Sequence, residues 1–336
     1  MSGKWMLSAA SLLLCLLAAI GFSKTADDLG VTVHEWGTFT SVAGENGEAV
    51  QWRTYGGPSD LPCFVDRFGG FKGGFNSSVR METPVIYFYS SRSATANVRV
   101  QFLNSTITEW FPKAALSKSY DAIEWKGIQI SPDAPPQFPG SGRSHYYAAR
   151  ETDAAPLQVG SQKERFLFYR GVGDFPLPIS AKVMDDGAIQ VRSRGERTVA
   201  GLVLFENRNG LRRYRLAGAF QNQITLDPKS LRGDDAGLFR DLERTLIDQG
   251  LYPSEAAAMI QTWRDSWFEE GARLFYIVPK ADIDSVLPLE VQPAPKDMAR
   301  VFVGRMEIIT SAIQDDVRHA IAANDQRTLE KYGRFL

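Results

Sequence analysis

Apolar and polar residues alternate along much of the chain between residues 27 and 230, and this alternation predicts β-strands. In the segment 97–102, apolar residues occupy every second position, with Arg99 and Gln101 between them. The segment 79–90 is instead apolar on both faces, which predicts a strand in the centre of its sheet. The region therefore has the pattern of a sheet protein with at least one well-covered sheet.

Two dipeptides predict β-hairpins in this region. Asp186-Gly187 lies in the middle of the segment 179–193, and Asn209-Gly210 lies in the middle of 200–218. Both dipeptides accept the positive φ angles of tight hairpin turns. Many strands joined by short turns favour a mainly β fold, with a β-sandwich-like N-terminal region.

The pattern changes near residue 231, where apolar residues take the 3.6-residue spacing of helices. This spacing predicts helices at about 235–271, interrupted at Gly250, and at 311–333, with strands between them. The C-terminal part is therefore predicted to be α+β. We divide the chain into a signal peptide (1–23), a β-sandwich-like region (24–230) and an α+β region (231–336), the last two packed as separate domains or as one unit.

The first 23 residues have the pattern of a secretory signal peptide. Lys4 precedes a long uncharged apolar run, and the small residues Gly21 and Ser23 predict cleavage after Ser23. The protein is then expected to be periplasmic or secreted. An uncleaved N-terminal membrane anchor is the alternative, because about 20 apolar residues suffice to span a bilayer. No membrane contact is expected from the rest of the chain.

Composition narrows the choice of partners. The chain carries 38 Lys and Arg against 39 Asp and Glu, so it has no excess positive charge to attract nucleic acid. Cys63 is the single cysteine after the predicted cleavage site, which excludes an intrachain disulfide, and we expect it to be buried. With three histidines and no HExxH, CxxC or glycine-rich nucleotide pattern, no metal or cofactor is expected. Other partners are left open.

The segment VHEWGTFTS (33–41) contains a histidine beside a carboxylate. On a regular strand the two side chains point to opposite faces, so His34 and Glu35 cannot act on one atom. Glu35 shares its face with apolar residues and is expected to be buried and paired with an arginine such as Arg80 or Arg99. His34→Ala, on the other face, is expected to cost less than about 2 kcal/mol of stability.

Two classes of function fit these residues. The first is a binding or structural module of the cell envelope, for a glycan or a protein partner. Trp36 and Trp52 would stack on sugar rings, and Arg213 and Arg215 would receive an anionic group. Buried tryptophans and a solvated hairpin face are the structural alternatives.

The second class is an extracytoplasmic hydrolase that uses His34, Glu35 and His145 for acid-base chemistry. Convergence of His34 and His145 in one cleft would favour this class. Distance between the two histidines, with aromatic side chains exposed on a flat face, would favour binding.

Three segments carry a resemblance to other proteins: HEWGTFTSVAG, METPVIYFYS and TWRDSWFEEGARLFYIVP. Together they resemble a group of exported bacterial proteins for which no activity is established. The resemblance covers most of the chain after the signal peptide. It implies export, and it transfers no catalytic or binding residue.

Overall fold

A computed structural model of the protein describes residues 30–54, 61–69, 76–140, 142, 144–195 and 197–332. The predicted signal peptide and its cleavage site lie outside the described residues. The first ten strands are β1 (Thr32–Val42), β2 (Trp52–Arg53), β3 (Asp66–Arg67), β4 (Asn76–Ser77), β5 (Val79–Tyr89), β6 (Ala94–Gln101), β7 (Ser105–Phe111), β8 (Ala115–Leu116), β9 (Ala122–Ile130) and β10 (Leu157–Val159).

The remaining strands follow in chain order: β11 (Gln162–Glu164), β12 (Leu167–Gly173), β13 (Ile179–Val183), β14 (Ile189–Ser193), β15 (Val199–Arg208), β16 (Leu211–Phe220), β17 (Gln223–Leu226), β18 (Gly271–Val278), β19 (Leu289–Gln292) and β20 (Asp297–Ile308). The α-helices are α1 (Asp235–Asp248), α2 (Pro253–Trp267), α3 (Lys280–Val286), α4 (Ser311–Ala323) and α5 (Gln326–Tyr332). Two short 3-10 helices span His145–Arg150 and Pro228–Ser230.

A nine-stranded sheet forms the centre of the described molecule, in the order β16-β15-β18-β20-β1-β5-β12-β7-β3. Strand β1 pairs in parallel with β20 and antiparallel with β5. Strands β18 and β20 lie between β15 and β1, so the N-terminal and C-terminal regions contribute to the same sheet. The segment 79–90 forms the interior strand β5, as its apolar pattern predicts.

The two faces of this sheet pack against different layers. One face shares a hydrophobic cluster with a six-stranded sheet (β11-β10-β9-β6-β19, with β8 beside β9) and a three-stranded sheet (β13-β14-β17). The other face packs against α1 and α2. The prediction of a mainly β fold with an α+β C-terminal part is therefore confirmed.

Both predicted hairpins are present. Strands β13 and β14 pair around Asp186-Gly187, and β15 and β16 pair around Asn209-Gly210. Asn209 and Gly210 have φ angles of 53° and 80°, the left-handed conformation that these residue types tolerate.

One local prediction is wrong, because Cys63 is exposed rather than buried. Helix α2 begins with Pro253 at the first helical position, and the Glu255 carboxylate accepts the backbone N–H of Tyr252. Within the described residues, no helix has the length and apolar character needed to cross a membrane.

Candidate functional site

Strand β1 holds His34 and Glu35 on opposite faces of the nine-stranded sheet, as the alternation predicts. Glu35 is fully buried on the sandwich side. Its carboxylate accepts a hydrogen bond from the Tyr169 hydroxyl at 2.5 Å and another from Arg300 Nε at 2.6 Å. Pairing of Glu35 with an arginine of a neighbouring strand is therefore confirmed. The partner is Arg300 on β20, directly opposite in the register, rather than Arg80 or Arg99.

The Glu35 network continues to the protein surface. Arg300 Nη1 donates to Asp284 at 2.7 Å, and the Asp284 side chain is 42% exposed. Burial raises the pKa of Tyr169 well above its usual range, and the Glu35 carboxylate raises it further. Burial alone would lower the pKa of Arg300, but the Glu35 carboxylate reverses this and raises it. Each charge here has a partner inside the fold, which is the arrangement of a structural network, although Nη2 of Arg300 has no hydrogen-bond partner among the described residues.

His34 meets a carboxylate from a different part of the chain. Its Nδ1 lies 2.7 Å from Oε2 of Glu255, in the first turn of α2, and both side chains are buried. With the Glu255 carboxylate as acceptor, Nδ1 is the donor, and the lone pair of a neutral imidazole would then be on Nε2. The same Glu255 oxygen accepts the Tyr252 N–H at 2.7 Å. The arrangement fixes the orientation of the imidazole.

Two tyrosine rings enclose this pair. The Tyr252 ring lies 4.5 Å from the His34 ring, and the Tyr89 ring lies 5.3 Å from it. Burial raises the pKa of the Tyr89 hydroxyl, and the negative charge of Glu255 raises it further. The Tyr89 hydroxyl therefore remains protonated across the physiological range and can act as a hydrogen-bond donor.

Beside Tyr89 a cleft of about 680 Å³ opens to solvent. Its walls come from the end of β5, the proline-rich segment 131–140 and the segment that follows the 3-10 helix at 145–150. The lining includes small apolar residues and a few polar ones: Tyr89, Ser91, Pro136, Thr152, Asp153 and Arg165.

Two of these lining residues, Thr152 and Arg165, keep a buried polar atom (Oγ1 and Nε, respectively) with no hydrogen-bond partner among the described residues. The Tyr89 hydroxyl also lies outside strict hydrogen-bond geometry, but it interacts with the Glu255 carboxylate, which contributes to its raised pKa. The Arg165 guanidinium is anchored on another edge, where Nη1 donates to the Ala154 carbonyl at 2.7 Å, and it lies 5.4 Å from the centre of the Phe138 ring. The cleft wall therefore contains fixed polar groups with unused hydrogen-bonding capacity.

His145 does not join this site. Its Nε2 lies 3.6 Å from the exposed carboxylate of Asp265. Asp265 and Glu255 are ten residues apart on α2, which separates them by about 15 Å along the helix axis. His34 and His145 therefore contact opposite ends of one helix, and His34, Glu35 and His145 do not converge.

The predicted binding residues also lack a shared surface. Trp36 is fully buried and Trp52 is 7% exposed, so neither presents a ring face to a sugar. This corrects the expectation of a tryptophan stacking surface. Arg213 donates to Glu206 at 3.0 Å, and Arg215 donates to the Ser230 hydroxyl at 3.0 Å. Each guanidinium group therefore has a local partner, although Nε of Arg213 has none among the described residues.

A further polar region lies inside the sheet, on the helix-facing side of β1. Thr38 is opposite Glu82, and Thr40 is opposite Arg305, which is 2.9 Å from Glu307. All five side chains are buried. The hydroxyls of Thr38 and Thr40 have no hydrogen-bond partner among the described residues. Within the same residues, no group of three His, Cys, Asp or Glu side chains could hold a metal ion.

The cleft residues were missed in the sequence because each is ordinary in its own segment. Asp153 and Arg165 lie 12 positions apart, and Tyr89 lies more than 60 positions before either. The proline-rich segment 131–140 was the available signal, since long loops on a β scaffold commonly carry binding sites.

Comparison with known proteins adds little to this geometry. No family model and no curated protein matches the chain. A solved structure of the Fcho1 Mu homology domain from Danio rerio with bound Eps15 peptide shares 8% identity, at a TM-score of 0.35, over 85% of this chain and 99% of that one. Similarity at this level supports no inference about fold or function.

Proposed function

We propose that the protein is an exported binding module that holds a small polar ligand in the cleft beside Tyr89. The observation that carries the proposal is the pair of unpartnered polar atoms on Thr152 and Arg165 in the wall of one cavity. Leaving such an atom buried without a partner costs about 1–3 kcal/mol. A bound molecule that supplies the partners would recover much of that cost.

The size of the cleft supports the same proposal. Its volume of about 680 Å³ is within the range of roughly 300–1,000 Å³ found for small-molecule sites. Its lining combines apolar surface with a few fixed polar groups, which is the usual composition of such sites. These atoms are buried, so a ligand contacts them only after surrounding side chains move.

The proposed location rests on the sequence. Lys4, the apolar run and the small residues Gly21 and Ser23 have the pattern of a signal peptide, and three later segments resemble those of a group of exported proteins. A ligand-binding module on the outer side of the membrane is consistent with both observations.

A blocked cleft tests the proposal. Ser91 is exposed and lines the cleft, whereas Ser93 is exposed on the same loop and does not line it. We expect some members of a panel of saccharides, amino acids and short peptides to raise the melting temperature of the wild type and of Ser93→Trp. The same ligands should leave the melting temperature of Ser91→Trp unchanged. Ligand-induced stabilisation that survives in Ser91→Trp would place the site elsewhere.

One observation favours a second candidate, a hydrolase. The buried hydrogen bond between Glu255 and His34 fixes an imidazole with its Nε2 lone pair available, which is the orienting half of many acid-base sites. In this case His34 rather than Glu35 or His145 would act as the base, with Glu255 as its positioning residue.

Activity assays separate the two candidates. Hydrolysis of a nitrophenyl ester or glycoside would be lost in His34→Gln and retained in His319→Gln, a change of an exposed histidine on α4. Equal turnover in both variants, with both shown to be folded by their melting curves, would reject His34 as a catalytic base.

A further inference from the structure

We infer that the ligand of the cleft is zwitterionic, with an ammonium group and a carboxylate group close together, as in a free α-amino acid or a short peptide. This inference rests on the proposed binding function and specifies its ligand class. It follows from the opposite charges that line the cleft and from the character of the remaining wall.

Arg165 is suited to bind the carboxylate. Its Nη1 is already held by the Ala154 carbonyl, and stacking on Phe138 fixes the plane of the guanidinium. Nε is buried and has no hydrogen-bond acceptor among the described residues. Arginine binds carboxylates through charge-assisted hydrogen bonds, so a ligand carboxylate would supply the missing acceptor.

Asp153 is suited to bind the ammonium group. It is exposed, it lines the same cleft, and its carboxylate is oriented by the Ser254 hydroxyl at 3.3 Å. Asp153 directly precedes Ala154, whose carbonyl accepts the hydrogen bond from Arg165, so both residues border the same part of the cleft. The described residues contain no ion pair between Asp153 and Arg165, which leaves both charges to act on a ligand.

The rest of the wall fits small apolar side chains better than a sugar ring. Pro132, Ala134, Pro136 and Ala154 line the cleft. Sugar recognition commonly uses an exposed tryptophan platform, and Trp36 and Trp52 are buried. A neutral saccharide would also leave the Arg165 and Asp153 charges without counter-charges inside the cleft, which is unfavourable.

Calorimetric titration with matched ligands tests the inference. The probe is dialanine, compared with its N-acetylated form, which lacks the ammonium charge, and its C-amidated form, which lacks the carboxylate. Free alanine distinguishes the amino-acid source from the peptide source, and maltose represents neutral saccharides. We expect dialanine or alanine to bind, and each blocked form to bind about tenfold more weakly, because a charge-assisted hydrogen bond is lost.

Protein variants assign each charge to its partner. Arg165→Gln should weaken dialanine about tenfold and make amidation of the ligand irrelevant, while Arg165→Lys should retain part of the affinity. Asp153→Asn should likewise weaken dialanine about tenfold and make acetylation of the ligand irrelevant. Asp133→Asn, on the proline-rich segment but outside the cleft lining, should change neither.

The outcomes distinguish failure of the zwitterionic-ligand inference from failure of the proposed binding function. If maltose binds in a manner that Ser91→Trp blocks and no zwitterion binds, the cleft is a binding site but its ligand is not zwitterionic. Blocked dialanine that binds as tightly as dialanine would also overturn the inference. If no probe binds at all, neither the zwitterionic ligand nor the proposed function receives support, and the inference fails.

Discussion

Removal of the Glu35 carboxylate should destabilise the protein substantially. Glu35 is fully buried, and its substitution by alanine leaves the Arg300 guanidinium and the Tyr169 hydroxyl without their shared acceptor. Breaking a buried ion pair from one side costs about 3–5 kcal/mol. Because Arg300 retains Asp284 at 2.7 Å, we expect Glu35→Ala to lie near the lower end, at about 3 kcal/mol.

Glu35→Gln should cost less, about 1–2 kcal/mol, because the amide keeps the side-chain shape and one oxygen acceptor. Glu124→Ala is the control. Glu124 lies on a strand and pairs with Lys126 at 3.2 Å, but its side chain is 30% exposed. A partly exposed pair of this kind contributes less than about 1 kcal/mol. Urea unfolding, with unchanged slopes across the series, gives the three free energies.

The reasoning is refuted if Glu35→Ala is no less stable than Glu124→Ala. It is also refuted if Glu35→Gln is the more damaging of the two Glu35 changes. Loss of a measurable activity in a Glu35→Ala protein of unchanged stability would instead make Glu35 a functional residue. The expectation for His34→Ala also changes, because His34 holds the buried Glu255 carboxylate, and we now expect a cost of about 2–3 kcal/mol.

Three more predictions follow from named contacts. Burial raises the pKa of Asp284, but hydrogen bonds from Lys280 and Arg300 outweigh this and lower it. The Asp284 carboxylate stabilises the fold fully above the ordinary carboxyl pKa of about 4, and this stabilisation is lost as pH falls through its lowered pKa in the folded protein. The stability of Asp284→Asn should therefore fall less steeply at acid pH than that of the wild type. Thr38→Val removes a buried hydroxyl that has no partner among the described residues, so it should leave urea stability unchanged or raise it by about 1 kcal/mol. Fractionation and N-terminal sequencing should find the protein outside the cytoplasm, beginning after Ser23; a cytoplasmic protein that retains Met1 would contradict export.

Local features of the fold could be predicted because short-range pattern determines them. Alternation placed His34 and Glu35 on opposite faces, and the dipeptides at Asp186 and Asn209 located two turns. The burial of Glu35 followed from its apolar neighbours. Its partner could not be predicted, since Arg300 lies 265 residues away and meets Glu35 through a parallel strand pair that no local signal specifies.

The candidate site depends almost entirely on such long-range contacts. Glu255 reaches His34 across 221 residues, because α2 packs over the end of β1. The error on Trp36 has the same origin, since periodicity shows which face a side chain occupies but not what covers that face. Here helices cover one side of the nine-stranded sheet and two smaller sheets cover the other, so an aromatic residue in the middle of a central strand, such as Trp36, is buried.

Methyl spectra of protein with isotopically labelled alanine test the central claim, that the cleft beside Tyr89 is the binding site, most directly. Ala134, Ala154 and Ala155 line the cleft, whereas Ala272 is buried on β18, which does not line it. Titration with dialanine should shift the three cleft methyl signals in a saturable manner and leave Ala272 unchanged. Saturable shifts confined to other alanines, or no shift at any alanine with every probe of the panel, would contradict the account.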